Sequence, residues 1–69
     1  MTPADFRAIR LRLGLTLVEW GEALGYEGAT TRHTMAHIEA GSKPLTERTA
    51  RLARMYEKHG IPKEFRPKK

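Results

Sequence analysis

The side chains best suited to chemistry in this 69-residue chain lie between Arg32 and Lys43. Arg32 and Lys43 are cationic hydrogen-bond donors, and His33 and His37 can donate or accept. Such groups can bind a phosphate or the polar edge of a nucleic-acid base. The two histidines are four residues apart, which is also a spacing that places two metal ligands on one face of a helix.

We expect no metal and no cofactor at this histidine pair. A structural zinc ion needs four ligands, the chain has no cysteine, and no third ligand is evident near His33 and His37. Two interpretations of the pair remain open. The imidazoles contact bases or phosphates, or they lie on a face that is merely solvated.

The segment around these residues has the pattern of a helix with two opposed faces. Thr30 or Thr31 is predicted to cap it, and Gly41 to end it. At about 100° per residue, Thr31, Met35 and Ile38 fall on one side. The other side carries hydrogen-bonding residues and two small ones, namely Arg32, His33, Ala36, His37 and Ala40. Such a face fits a groove, and in a basic chain we expect the major groove of DNA.

Composition favours a polyanionic partner. Thirteen lysines and arginines against eight acids give a net charge of +5, which favours nucleic acid over a membrane surface. A chain this short forms one domain with a small core, so we expect no deep substrate cleft and no small-molecule ligand. No nucleophile–base pair, paired carboxylates or phosphate-binding glycine loop stands out, and we therefore expect no enzyme.

No apolar run approaches the roughly 18 residues that a membrane-spanning helix needs. We also expect no secretory signal, because no charged segment followed by an apolar one opens the sequence. The absence of cysteine is compatible with a reducing compartment. These observations predict a cytoplasmic protein with no membrane partner.

Capping residues divide the chain into four predicted helices. Thr2 with Pro3 starts the first, and Thr16 with Glu19 forms a capping box for the second. A turn spans residues 26–30, and the fourth helix begins at Thr46. The apolar residues on the inner faces predict a core of Phe6, Ile9, Leu13, Trp20, Leu24, Met35, Ile38, Leu45, Leu52, Ala53 and Tyr56. We expect a helical domain over residues 1–60 and a basic, loosely held tail over residues 61–69.

The order of four short motifs resembles the Cro/C1-type (XRE-like) helix-turn-helix family of small phage and bacterial repressors. The motifs are Leu13-Gly14-Leu15-Thr16, then Glu19, then Leu24-Gly25, and finally Ile38-Glu39-Ala40-Gly41. The resemblance covers residues 6–56. It implies an all-α bundle of four or five helices, of the lambda-repressor type, whose third helix enters the major groove.

Carried over to this chain, the family's functional positions fall around the second and third helices. The implied base-contacting residues are Arg32, His33, Ala36 and His37. The implied contacts to the DNA backbone are Thr16, Leu17, Thr31, Thr34, Ser42 and Lys43. The resemblance also implies that Arg10 and Glu39 form a structural ion pair.

Three positions depart from the family pattern. The turn is about four residues longer than usual, near residues 26–29, which would change the angle of the third helix or add a phosphate contact. Leu17 stands where a polar residue often contacts the backbone. Gly21 replaces the usual alanine, which keeps the approach of the two helices close but costs about 1 kcal/mol of helix propensity.

The function expected from these features is that of a sequence-specific regulator of transcription that binds double-stranded DNA. The resemblance implies a repressor from a phage or mobile element, which occupies an operator, and it leaves open whether the protein also controls its own operon. The alternative is a protein-interaction module, such as an antitoxin-like or partner-binding subunit. A basic face with two alanines favours DNA over a protein partner.

We also expect a homodimer on a near-palindromic operator, because one helix reads too few base pairs to select a single site. Met55, Ile61 and Phe65 are apolar residues beyond the needs of the predicted core, and they would form the dimer interface. The alternative is that Ile61 and Phe65 fold back on their own domain.

Overall fold

A computed structural model describes residues 1–65 of the chain. Over this range the chain forms four α-helices, α1 (Pro3–Arg12), α2 (Leu17–Ala23), α3 (Thr31–Ala40) and α4 (Glu47–His59), followed by a 3-10 turn at Lys63–Phe65. No strand occurs within the described residues, so the predicted all-α class is confirmed. None of these helices has the length and apolar composition needed to cross a membrane.

Threonine hydroxyls cap three of the four helices as the sequence predicts. Thr2, Thr16 and Thr46 each accept a hydrogen bond from the backbone N–H three residues later. At Thr2 and Thr16 an acidic side chain returns a bond to the cap's own N–H, which completes a capping box. These caps satisfy N–H groups that a helix leaves without an internal partner.

The predicted threonine cap of α3 is wrong. Thr30 occupies the cap position, but its side chain makes no capping bond. Its backbone is helical (φ −93°, ψ 0°), whereas the three capping threonines are extended. The Thr31 hydroxyl instead donates to the carbonyl of Gly28 at 3.0 Å, which ties the start of α3 to the preceding turn.

The core brings all four helices onto one aromatic cluster. Phe6 and Trp20 lie with ring centroids 5.2 Å apart, and Trp20 meets Tyr56 edge-on at 6.3 Å. Met35 and Ile38 of α3 are buried on the same cluster. The predicted core is largely confirmed, except that Leu13, Leu45 and Leu52 are only half-buried at its edge. Burial of these side chains is the main source of stability in so small a domain.

A glycine lies at the contact between α2 and α3. A β-carbon added to Gly21 would overlap the Cγ2 methyl of Thr31 and would lie 3.1 Å from Cγ of Met35. The bare backbone at this position therefore allows the first turn of α3 to pack directly on α2. The interpretation of Gly21 as a close-approach residue is confirmed.

Hydrogen bonds and an ion pair join α4 to the first half of the chain. The hydroxyl of Tyr56 donates to the carbonyl of Ala23 at the end of α2. Arg12 of α1 forms an ion pair with Glu57. These contacts tie α4 to the elements that carry α3.

Ile61 lies neither in a free dimer interface nor in a loosely held tail, and it matches the alternative prediction that it folds back on its own domain. Only 8% of its surface is exposed, and it packs in the core of its own chain. Gly60, with φ of 79°, reverses the chain after α4 and returns Ile61 to the domain. The domain therefore continues past residue 60, and residues 66–69 of the predicted tail lie outside the described part.

Candidate nucleic-acid interface

The exposed face of α3 matches the face predicted from helical periodicity. Arg32, His33, Ala36 and His37 are exposed, and Ala40 extends the same surface toward the end of the helix. The opposite face is buried through three residues, Thr31, Met35 and Ile38. The fold thus requires one side of α3 and leaves the other free to contact a partner.

The acidic side chain of α3 is withdrawn from this exposed face by an ion pair. Arg10 Nε donates to one carboxylate oxygen of Glu39 at 2.8 Å, and Nη2 donates to the other at 3.2 Å. Both side chains are largely buried, with 12% of Arg10 and 7% of Glu39 exposed. The pair implied by the family resemblance is therefore present, in the two-bond geometry that suits arginine and carboxylate.

Arg10 also connects α3 to the segment before α2. Its Nη1 donates to the carbonyl of Leu15 at 2.9 Å, so one guanidinium joins α1, α3 and the start of the α2 region. Arg7 adds a second, more exposed cation 3.9 Å from Glu39. Sequence reasoning missed Arg7 and the bond to Leu15, although the position of Arg7 one turn before Arg10 was a usable signal.

Two cations beside this face are not neutralised within the described chain. Neither Arg32 nor Lys43 forms an ion pair with another residue of the range 1–65. The ion pairs present there use other cations, namely Arg7 or Arg10 with Glu39, Arg12 with Glu57, and Arg51 with Glu47. Because Glu39 is the only acid of α3 and is already paired, the exposed face carries net positive charge.

The end of α3 places Ser42 and Lys43 next to the exposed face. Gly41 has a left-handed backbone (φ 83°), which ends the helix. The N–H groups of Ser42 and Lys43 then both donate to the carbonyl of His37, at 2.9 and 3.2 Å. Both side chains are exposed. Lys43 is therefore held by its backbone while its ammonium group remains available.

The residues predicted to contact the DNA backbone differ in how exposed they are. Thr16 is exposed at the start of α2, although its hydroxyl already accepts the capping bond, and Thr34 is half-buried. Leu17 is also half-buried and packs against the core. The prediction that Thr31 contacts the DNA backbone is corrected, because Thr31 is only 4% exposed and its hydroxyl donates to the carbonyl of Gly28. Thr31 therefore supports the fold, and an exposed contact role is excluded by its burial.

Neither imidazole of the histidine pair is bonded within the described chain. No side-chain hydrogen bond or ion pair engages the imidazole of His33 or His37 there, and no group of three or more potential metal ligands forms among residues 1–65. Each ring is exposed on the same face as Arg32. The pair is thus accessible for hydrogen bonding to an external partner.

The long turn is anchored by Tyr26, through its side chain and its backbone. The Tyr26 hydroxyl lies 3.1 Å from Oγ1 of Thr49, and the backbone N–H of Tyr26 donates to the carbonyl of Gly21 at 2.9 Å. Gly25 and Gly28 flank it, both with positive φ. No local pattern identifies Thr49 as the partner, because 23 residues separate the two.

Comparison with protein-family models, curated proteins and solved structures gives no match to this chain. The features that bear on function are the geometry of α2, the turn and α3, together with the charge of the exposed face. Both features come from the chain's own residues.

Proposed function

We propose that the protein is a sequence-specific regulator of transcription that binds double-stranded DNA. In this proposal α2, the turn and α3 form a helix-turn-helix unit, and α3 enters the major groove. The observation that supports this proposal is the exposed face of α3. Within residues 1–65, this face combines positive charge that no ion pair neutralises with two imidazoles that have no internal hydrogen bond and a small central residue, Ala36. A face of this kind matches the acidic, hydrogen-bonding surface of a DNA groove.

The residues of this face divide by the kind of contact that each is suited to make. Arg32 lies in the first turn of α3, where a recognition helix reaches base edges, and arginine pairs well with guanine. His33 and His37 supply further hydrogen bonds to bases or phosphates. Ala36 lies between them and keeps the helix surface low enough for close approach to the bases.

The phosphate contacts are proposed at both ends of the unit. Lys43 and Ser42 follow α3, and Thr16 lies at the start of α2. Phosphate contacts of this type set the position of the protein on the duplex without reading its sequence. Lys43 is the main candidate, because it has a full charge and no ion pair among residues 1–65.

We further propose that the protein acts as a C2 homodimer on a near-palindromic operator. Two α3 helices about 34 Å apart would read two successive major grooves. Met55 and Phe65 are 57% and 53% exposed and supply apolar surface for such an interface, whereas the buried Ile61 no longer does. Light scattering of the free protein and of its DNA complex tests this, and one protomer per duplex would contradict it.

Binding of the protein to the DNA upstream of its own gene tests the main proposal. Fluorescence anisotropy would compare this duplex with a shuffled duplex of equal length and composition across a salt series. A repressor is expected to prefer the upstream DNA, by about 10³-fold or more, and to lose affinity for both as salt rises. Equal affinity for the two duplexes would contradict sequence-specific recognition. Lack of binding to either at low salt would favour the protein-interaction alternative.

A further inference from the structure

We propose that the hydrogen bond between Tyr26 and Thr49 sets the position of α3 and thereby determines sequence specificity. The inference rests on the proposed function, and it assigns a positioning role to the lengthened turn. Tyr26 would act through α3 without touching the DNA. The observations that carry it are the hydroxyl contacts of Tyr26, the backbone of the turn and the way α3 begins.

Three hydroxyl groups form a continuous chain from the turn to α4. Tyr26 Oη lies 3.1 Å from Oγ1 of Thr49, and the Thr46 hydroxyl donates to that same Oγ1 at 3.0 Å. Thr46 in turn accepts from the N–H of Thr49 at 3.2 Å. Thr49, which both bonds share, is only 8% exposed, so the centre of this chain is largely shielded from competing water. It connects the turn to the first turn of a 13-residue helix.

Backbone bonds hold the two ends of the turn, from Gly25 and Tyr26 to α2 and from Thr31 to Gly28, and the segment between them is open. Gly25 and Gly28 both have positive φ, and no atom lies within 4 Å of a β-carbon built on either one. Residues 27–30 are all exposed. Glycines in an open turn leave the backbone with many accessible conformations. An anchor at Tyr26, between the two glycines, therefore restricts the path of the chain into α3.

The position at which α3 starts depends on the path of the turn, because no side chain caps the helix. Thr30 makes no capping bond, and Thr31 is tied to Gly28, which belongs to the turn itself. Arg32 is the next residue along. A displacement of the turn would therefore move the backbone that carries the first base-contacting side chain, and displacements of about 1 Å are enough to weaken a directional hydrogen bond.

The hydroxyl of Tyr26 is already hydrogen-bonded to Thr49, which favours a positioning role over a direct phosphate contact. The residue is half-buried, and its ring packs against the core. The two roles lead to different results. Loss of a phosphate contact weakens binding to every DNA sequence alike, whereas loss of a positioning residue lowers the preference for the operator.

The test uses Tyr26→Phe, Thr49→Val and their combination, with Thr49→Ser as the variant that keeps the hydroxyl. The ratio of affinities for operator and shuffled DNA is expected to fall about three- to tenfold in each single variant, as for one lost hydrogen bond. The double variant should lose no more than either single one, and Thr49→Ser should keep the ratio. Ile9→Val is the control for stability, because it trims the core away from the turn and should leave the ratio unchanged.

A second measurement separates this inference from the proposed function. Amide hydrogen exchange of residues 29–33 in the free protein should accelerate in Tyr26→Phe and Thr49→Val, and not in Ile9→Val. Unchanged exchange at these amides would overturn the positioning role whether or not DNA binds. Equal losses on both DNA sequences would also overturn it, and would assign Tyr26 to a phosphate. If the wild-type protein bound no DNA specifically, the proposed function would fail while accelerated exchange still supported the anchor.

Discussion

The methyl group of Thr31 occupies the space that a side chain at Gly21 would need. Thr31 is buried, and its hydroxyl donates to Gly28, so it cannot turn away without losing that bond. The two residues therefore form a matched pair, one without a side chain and one branched at Cβ. Their fit sets how closely α3 approaches α2.

The first prediction is that Gly21→Ala destabilises the protein despite the helix preference of alanine. Alanine gains about 1 kcal/mol over glycine inside a helix. Overpacking a tight contact costs about 1–3 kcal/mol, and Thr31 has little freedom to relieve it. Gly21→Val should cost more, because its branched side chain adds a second overlap. Urea denaturation followed by circular dichroism measures both changes.

Thr31→Ser supplies the matched control for this pair. Serine keeps the hydroxyl that bonds to Gly28 and removes the methyl group that meets residue 21. Gly21→Ala should therefore cost less in the Thr31→Ser background than in the wild type. A higher melting temperature for Gly21→Ala alone would show that the helices have room to separate without cost.

The second prediction concerns the buried pair between Arg10 and Glu39. Glu39→Gln leaves the Arg10 guanidinium without its charged partner and should lower stability by about 3 kcal/mol. Glu47→Gln breaks an exposed ion pair, in which 78% of the Glu47 side chain and 77% of the Arg51 side chain are exposed. This change should lower stability by only about 0.3–0.5 kcal/mol. Denaturation curves compare the two. Equal costs would mean that burial of the first pair is energetically unimportant.

The third prediction concerns base recognition. Arg32→Ala and His37→Ala should each weaken operator binding by about 1–3 kcal/mol and relax preference at one base position. Arg12→Ala removes the same charge from an arginine that pairs with Glu57 outside α3, and it should leave base preference intact. Anisotropy with a set of singly substituted operators measures these effects. Full affinity and unchanged preference in both α3 variants would exclude this face as the reading surface.

The fourth prediction concerns Lys43 as a phosphate contact. Lys43→Ala should weaken binding to operator and shuffled DNA alike, and reduce the slope of log K against log salt by about one unit. Ser42→Ala, its uncharged neighbour, should leave that slope unchanged. A loss confined to one operator sequence would instead identify Lys43 as a base-contacting residue.

The fifth prediction is a loss of stability at alkaline pH through Tyr56. Burial raises the pKa of the Tyr56 phenol above its ordinary value of 10.0. The unfolded chain therefore releases this proton at lower pH than the folded one. The stabilising contribution is complete below about pH 10 and is lost as the pH rises through the folded-state pKa.

Tyr56→Phe isolates this effect from other titrating groups. It removes the ionisable hydroxyl and also the bond to the carbonyl of Ala23, so its stability should start lower and decline less between about pH 9 and 11. Urea denaturation at a series of pH values compares the variant with the wild type. Parallel declines in the two proteins would assign the alkaline sensitivity to other residues.

The helices could be predicted from sequence because their signals are local. Thr2, Thr16 and Thr46 cap through residues three positions away, and Gly41 ends α3 through its own backbone freedom. The two faces of α3 could also be predicted from sequence, because helical periodicity separates buried from exposed positions without knowledge of the fold. The all-α class and the exposed face of α3 follow from these signals alone.

The errors arise where distant residues decide the outcome. The burial of Ile61 depends on a reversal at Gly60 that returns it to the core, whereas the burial of Thr31 follows from the periodicity of α3 and conflicts only with the contact role that the family resemblance implied. The bond from Tyr26 to Thr49 joins residues that no sequence period relates. Tertiary packing decides such contacts, and a local pattern contains no information about them.

The separation of the two faces of α3 has a consequence for how this protein can change over generations. Arg32, His33, Ala36 and His37 make no side-chain hydrogen bond or ion pair within the described chain, whereas the opposite face holds the fold together. Exposed substitutions of this kind usually alter stability by less than about 0.5 kcal/mol. If this face binds DNA as proposed, single mutations in it can create new target preferences, and no compensating mutation in the core has to arise first.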